Sequence, residues 1–166
     1  MTMTPTLHTF IQALQTPDIS FTTLADARPA TEAGGIPQLM RTTRFAEAEI
    51  VWRGRQWLLS LPLSPAALAA VERTASQAGR LNTEWLAEYR ILRGELLWVD
   101  AEEHPQTCDL VLQHLPAGRS FAEALLTEPA ERLLAGLDAL QSALRELGFS
   151  HNNLRPDNLR WSGGRF

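Results

Sequence analysis

The chain contains no lysine: all 15 residues of its Lys+Arg total are arginine. Schiff-base chemistry, a P-loop lysine and any other mechanism that needs a titratable ammonium side chain are thereby excluded. Cysteine is nearly absent as well, and the single Cys108 leaves no intrachain disulfide and no multi-cysteine metal site. Positive charge is scarce and dispersed. Against 19 acidic residues the arginines leave a formal net charge of −4 and form no basic stripe, so nucleic acid is not expected as a partner. Long apolar runs are missing too. The longest, residues 57–71, is interrupted by Ser60, Pro62, Ser64 and Pro65, too short and broken to span a bilayer. The first basic side chain is Arg28, so the N-terminus does not read as a secretory signal. These absences lead to the expectation of a soluble cytoplasmic domain with no membrane contact. With 166 residues, 45% of them apolar, the chain is long enough for one compact domain. Such a domain buries about two-thirds of its unfolded surface.

Leu7, Phe10, Ile11 and Leu14 recur at helical spacing, which predicts a short amphipathic helix ending near Pro17. Residues 26–37, rich in Pro, Gly and Ala, read as a loop. Two strand-like runs follow, 45–53 and 56–63, joined across Gly54-Arg55 as a hairpin, with Pro62 marking the end of the second. Ser64-Pro65 is a helix start, and the helix is expected to stop at Gly79. Residues 88–92 and 95–100 read as a further pair of strands separated by Gly94, and 109–115 as the last strand. Residues 120–126 suggest a short helix. Residues 128–147 give the clearest helix, with Leu133, Leu134, Leu137, Leu140, Leu144 and Leu147 on one stripe and Gly148 as its stop. The order predicts an α+β fold with an antiparallel sheet.

Residues 149–161 read FSHNNLRPDNLRW: three asparagines, a histidine, two arginines and an aspartate close together after an apolar helix. Density alone would fit a solvated turn with local Asn and Asp hydrogen bonds. The order of the residues is more telling. It resembles the catalytic loop of the protein-kinase-like family, H-x-D-L-x-P-x-N. His151, Leu154, Pro156 and Asn158 match, Asn153 replaces the aspartate, and Arg155 stands where many kinases carry lysine. The run from Leu110 to Phe121 is similar to the strand and hinge that lead into the first C-lobe helix, and the resemblance extends over about residues 40–166. It implies an N-lobe-like sheet with one helix over about 1–116 and a short, helical partial C-lobe over 117–166.

The same resemblance implies that the chemistry is lost. The loop aspartate accepts the substrate hydroxyl proton in the family, and Asn153 has no carboxylate to do so. The phosphate-holding cation is expected within residues 57–63, where only Trp57, Ser60, Pro62 and leucines stand. Gly34-Gly35 does not fit a G-x-G-x-x-G phosphate loop. The metal-binding D-F-G would follow Trp161, where the sequence reads SGGRF. Asn158, a metal ligand in the family, would then lack its partner aspartate. Glu72 lies where the family's helix glutamate pairs with the lysine, and with no lysine it is expected on a solvated helix face.

Other constellations carry less. Residues 148–152 approach a G-x-S-x-G elbow but lack the last glycine and follow a helix. His8, His104, His114 and His151 are too scattered for a metal site. Cys108, beside Asp109, reads as a packing residue. The five tryptophans, Trp52, Trp57, Trp85, Trp98 and Trp161, are expected mainly in the core, with an exposed subset as a partner surface the lesser alternative.

The expectation is therefore a pseudokinase without catalytic residues, metal or cofactor. Its degenerate loop of His151, Asn153, Arg155 and Asn158 would be a remnant in an interaction or scaffolding module of a larger protein. A following domain or a partner protein is expected at the C-terminal end. There WSGGRF looks like half of a hairpin whose open edge would also invite homodimerisation. Two alternatives stay open: a nucleotide-binding regulatory pseudokinase, and a small-molecule phosphotransferase whose metal-binding motif lies beyond Phe166.

Overall fold

A computed structural model describes residues 4–81, 83, 86–148 and 154–166. The chain divides into two compact units, one running to Leu115 and the other beginning at Pro116.

The first unit is α+β. Its elements are α1 (Leu7–Gln15), α2 (Pro17–Ser20), β1 (Arg28–Pro29), β2 (Met40–Arg41), β3 (Phe45–Trp52), β4 (Arg55–Pro62), α3 (Pro65–Leu81), β5 (Tyr89–Val99) and β6 (Pro105–His114). The strands form one antiparallel sheet in the order β1-β3-β4-β6-β5, with β2 also paired to β3. Alternation in β3 puts Ala46, Ala48, Ile50 and Trp52 on the covered face and leaves Glu49 and Val51 exposed. A slip of one residue would reverse that distribution, which fixes the register. The same face gathers Phe10 and Leu14 of α1, Phe21 and Leu24, and Leu59, Leu61, Leu110 and Leu112 into the main core.

Several boundaries differ from the sequence expectation, among them the start of the last strand, Pro105 in place of Asp109; three others are instructive. The β3–β4 turn is Arg53-Gly54, one residue earlier than Gly54-Arg55, because Trp52 pairs with Arg55. Both turn residues have positive φ, 50° and 73°, as a two-residue hairpin with the right twist demands. Arg53 tolerates this conformation while its guanidinium stacks 4.3 Å from the centroid of the Trp52 ring. Second, the expected strand pair around Gly94 is one continuous strand, β5, whose pairing with β6 shifts between Leu92 and Leu96. Gly94, at φ 57°, makes a bulge there instead of a turn. Third, α3 starts as expected, with Ser64 Oγ accepting the Ala67 N–H at 3.2 Å, but it runs through Gly79 to Leu81. Gly79 has no positive φ, so it does not act as a left-handed stop.

The edge strand β5 is partly covered by the segment after α2. Phe21 bridges to Leu96, and the Thr22 N–H bonds the Glu95 carbonyl at 3.0 Å. The Glu95 carboxyl group, in a residue only 1% exposed, accepts the N–H groups of Thr23 and Leu24, both at 2.8 Å. Beyond β5, Asp100 accepts the N–H groups of Glu102 and His104 and the Gln106 side-chain amide. These bonds, His104's above all, hold its carboxyl below the usual aspartate range.

The second unit contains β7 (Arg119–Ser120), α4 (Phe121–Thr127), α5 (Ala130–Glu146), a single 3-10 turn (Pro156–Asn158) and β8 (Arg160–Trp161), with β7 and β8 antiparallel. Ser120 and Glu123 close a capping box at the start of α4. Gly148, at φ 62°, stands at the end of α5 as expected. Of the predicted leucine stripe, Leu133 and Leu140 are buried, whereas Leu134 is 61% exposed. One residue is a 100° rotation, so Leu133 and Leu134 cannot share the inner face. The small core joins Ala124, Leu133 and Trp161, with Phe166 packed against them. The expected Ser-Gly-Gly turn centres on Gly163 and Gly164, and Ser162 and Arg165 exchange backbone hydrogen bonds at 2.9 and 3.2 Å. Phe166 is thereby returned to Trp161, ring centroids 4.8 Å apart and edge-on.

Candidate functional site

The loop singled out in the sequence is described only in its second half. His151 and Asn153 lie outside the described residues. Arg155 and Asn158 stand at either end of the 3-10 turn and are exposed, the Asn158 N–H bonding the Arg155 carbonyl at 2.9 Å. Pro156 opens this turn, its fixed φ being suited to a helix start. Leu159 then leads into β8, where Trp161 pairs opposite Arg119 of β7 and anchors the loop's exit.

The strand expected to carry a phosphate-holding cation is β4. From Trp57 to Pro62 its side chains are uncharged, and all but Leu58 are buried. At its centre Ser60 stands directly across from Glu47 of β3, with Ser60 Oγ donating to Glu47 Oε1 at 3.4 Å. Burial pushes the Glu47 carboxyl up, and the Ser60 hydrogen bond partly opposes that shift. The Tyr89 phenol is also pushed up, first by burial and then by the charge on Glu47. The pair therefore sets a β4 hydroxyl beside a β3 carboxyl group and supplies no cation that could hold a phosphate. Sequence reasoning did not reach this pair because strand register is a long-range property; the alternation around Glu47 was its only trace.

Glu72 lies on a partly exposed face of α3, in keeping with the solvated face expected, and has an arginine partner there. It bonds Arg93 of β5, and a second nitrogen of the same guanidinium bonds Asp109 of β6 at 2.5 Å. Asp109 also accepts the Gly94 N–H at 2.8 Å, and these bonds leave its carboxyl below the ordinary range despite opposing desolvation. The bulge at Gly94 was the available signal, since it shifts the neighbouring side chains off the regular pleat.

A second polar cluster lies where β6 ends. The Trp57 ring packs edge-on against His114 at 5.1 Å, and the Arg90 guanidinium lies 5.1 Å from its centroid. Arg90 is held by Glu88 at 2.6 Å. The backbone N–H groups of His114 and Leu115 are already bonded, to the carbonyls of Glu88 and Gln56. Trp52, Trp57 and Trp161 are buried and Trp98 is partly buried; Trp85 lies outside the described residues.

Cys108 packs against the main core, with its thiol pushed up to about 12 by burial and by the neighbouring Asp109 charge. An ordinary thiol titrates near 8.5. At pH 8, iodoacetamide is expected to alkylate Cys108 in the folded chain at least about a hundredfold more slowly than in denaturant, where the thiolate is restored. Equal rates by mass spectrometry would show an accessible, ionisable thiol.

Shallow depressions among the described residues include two that can be delimited. One, of about 430 Å³, is bounded only by α3 residues from Ala69 to Arg80; the other, of about 340 Å³, lies between α1 and the Ala27–Pro37 segment. Among the described residues, no three His, Cys, Asp or Glu side chains are grouped to hold a metal ion. No described helix is long and apolar enough to cross a membrane. No model of a known protein family matches the chain, and no curated protein matches it.

Proposed function

We propose that this chain is a catalytically inactive, protein-kinase-like domain that serves as an interaction or scaffolding module within a larger protein. The observation that carries the reading is β4. Where phosphoryl transfer needs a cation, the strand is neutral from Trp57 to Pro62 and sets Ser60 against the Glu47 carboxyl. Glu72, the acidic partner such a cation would need, is engaged by Arg93 instead. The family resemblance draws support from the element order: a hairpin, α3, two further strands, then a capped short helix and a long one. The N–H groups of His114 and Leu115, engaged by the carbonyls of Glu88 and Gln56, are not open to a ligand, which favours the scaffold reading over nucleotide binding.

Thermal unfolding with ATP, with and without magnesium, tests the proposal. A ligand at a hundredfold its Kd stabilises by about 2.7 kcal/mol, a shift of several degrees. The scaffold reading expects a shift below about 1 °C under both conditions. A magnesium-independent shift would instead establish a nucleotide-binding regulatory domain. A magnesium-dependent shift with turnover would establish a phosphotransferase.

A further inference from the structure

Helix α3 is long but thinly attached. Of its 17 residues only Ala67, in the first turn, is buried. It packs against β4 and β5, and its one described ion pair with the sheet is Glu72–Arg93. Arg93 is itself positioned on both sides: Asp109 of β6 takes its other terminal nitrogen, and Asp109 is in turn fixed by the Gly94 N–H of the β5 bulge. A guanidinium suits this use because its planar fork can serve two carboxylates at once. The position is exposed, 61% for the Arg93 side chain, so salt can screen it.

We infer that Glu72, Arg93 and Asp109 form a latch that sets whether α3 lies docked on the sheet, and that α3 is released as a unit while the sheet stays folded. This goes beyond the proposed function and does not depend on it. The sheet has its own core on the face carrying Ala46, Ala48 and Ile50, whose cluster includes no α3 residue. Undocking α3 therefore leaves that core intact. Elements with few buried contacts and exposed hydrogen bonds are the ones that open locally. The latch works through Arg93 as a positioning residue, with no cation on β4 between Trp57 and Pro62.

Hydrogen exchange of the full chain, read peptide by peptide, tests the latch. In wild type, raising salt from low to about 0.5 M should speed exchange across residues 68–81 by roughly two- to five-fold, the range of exposed ion pairs. Glu72→Gln and Arg93→Gln should each show the faster exchange already at low salt and lose the salt response. Amides of β3, β4 and β6 should keep their wild-type protection in all cases. Unchanged α3 exchange in both variants would overturn the inference. Loss of protection spreading through the sheet would overturn it equally, because the pair would then support the whole unit.

Discussion

Glu95→Ala is expected to destabilise the first unit by about 3 kcal/mol and to lower its melting temperature by roughly 10 °C. The size follows from where the carboxyl group sits. It accepts two backbone N–H groups, those of Thr23 and Leu24, inside a site where Leu24 and Glu95 are both essentially inaccessible. Alanine removes the acceptor, leaves the buried Leu24 N–H and the part-buried Thr23 N–H without a partner, and opens a cavity beside Leu24. Glu95→Gln keeps an oxygen that can accept both donors, but it brings a buried amide NH2, so about half the loss is expected. Calorimetry gives the magnitude, and hydrogen exchange gives the place: in the alanine variant α1 and residues 21–24 should lose protection before the sheet does. A melting temperature within about 2 °C of wild type would show that the pairing contributes little.

Gly136→Ala should destabilise the second unit by about 2 kcal/mol, although alanine is the better helix former. A Cβ at this position would lie 2.5 Å from Trp161 Cζ3 and 3.3 Å from Phe166 Cδ2. The Trp161 ring cannot withdraw easily, being 2% exposed and packed edge-on against Phe166. Gly79→Ala is the internal control. It is also a helical glycine, but its Cβ would meet nothing within 4 Å, so a gain of about 0.5–1 kcal/mol is expected. Opposite signs for these two substitutions, measured by denaturant unfolding, would confirm that helix packing and not propensity governs Gly136. Equal gains would show that Trp161 does not press on α5.

Local chemistry made much of the first unit legible. The alternation of residues 45–52, the proline ending β4 and the serine-proline start of α3 each act over a few residues and were found in place. Glycine was the weak point, because its meaning depends on partners distant in sequence. Gly54 closes a turn, Gly94 makes a bulge and Gly79 passes unnoticed within a helix, yet all three look alike as punctuation. The cross-strand pairs were out of reach for the same reason. Neither Ser60–Glu47 nor Glu72–Arg93 can be named before register is known. In the loop that prompted the kinase-like resemblance, Arg155 and Asn158 are exposed around a turn. The residues that matter most to the resemblance, His151 and Asn153, lie outside the described part.

The β5 bulge does more than interrupt a ladder. Three consecutive residues, Arg93, Gly94 and Glu95, oppose the single residue Asp109 between the paired positions Leu92–Leu110 and Leu96–Cys108. That surplus sends Arg93 toward α3 and Glu95 toward the chain's N-terminal segment, while the Gly94 N–H stays tied to Asp109. The stretch works as a shared rivet: Leu24 and Glu72, 48 residues apart in the chain, are fastened to the sheet through two nearby residues of one strand, Glu95 and Arg93. A side chain forced onto Gly94 at its φ of 57° would strain that rivet, and both fastenings would loosen together.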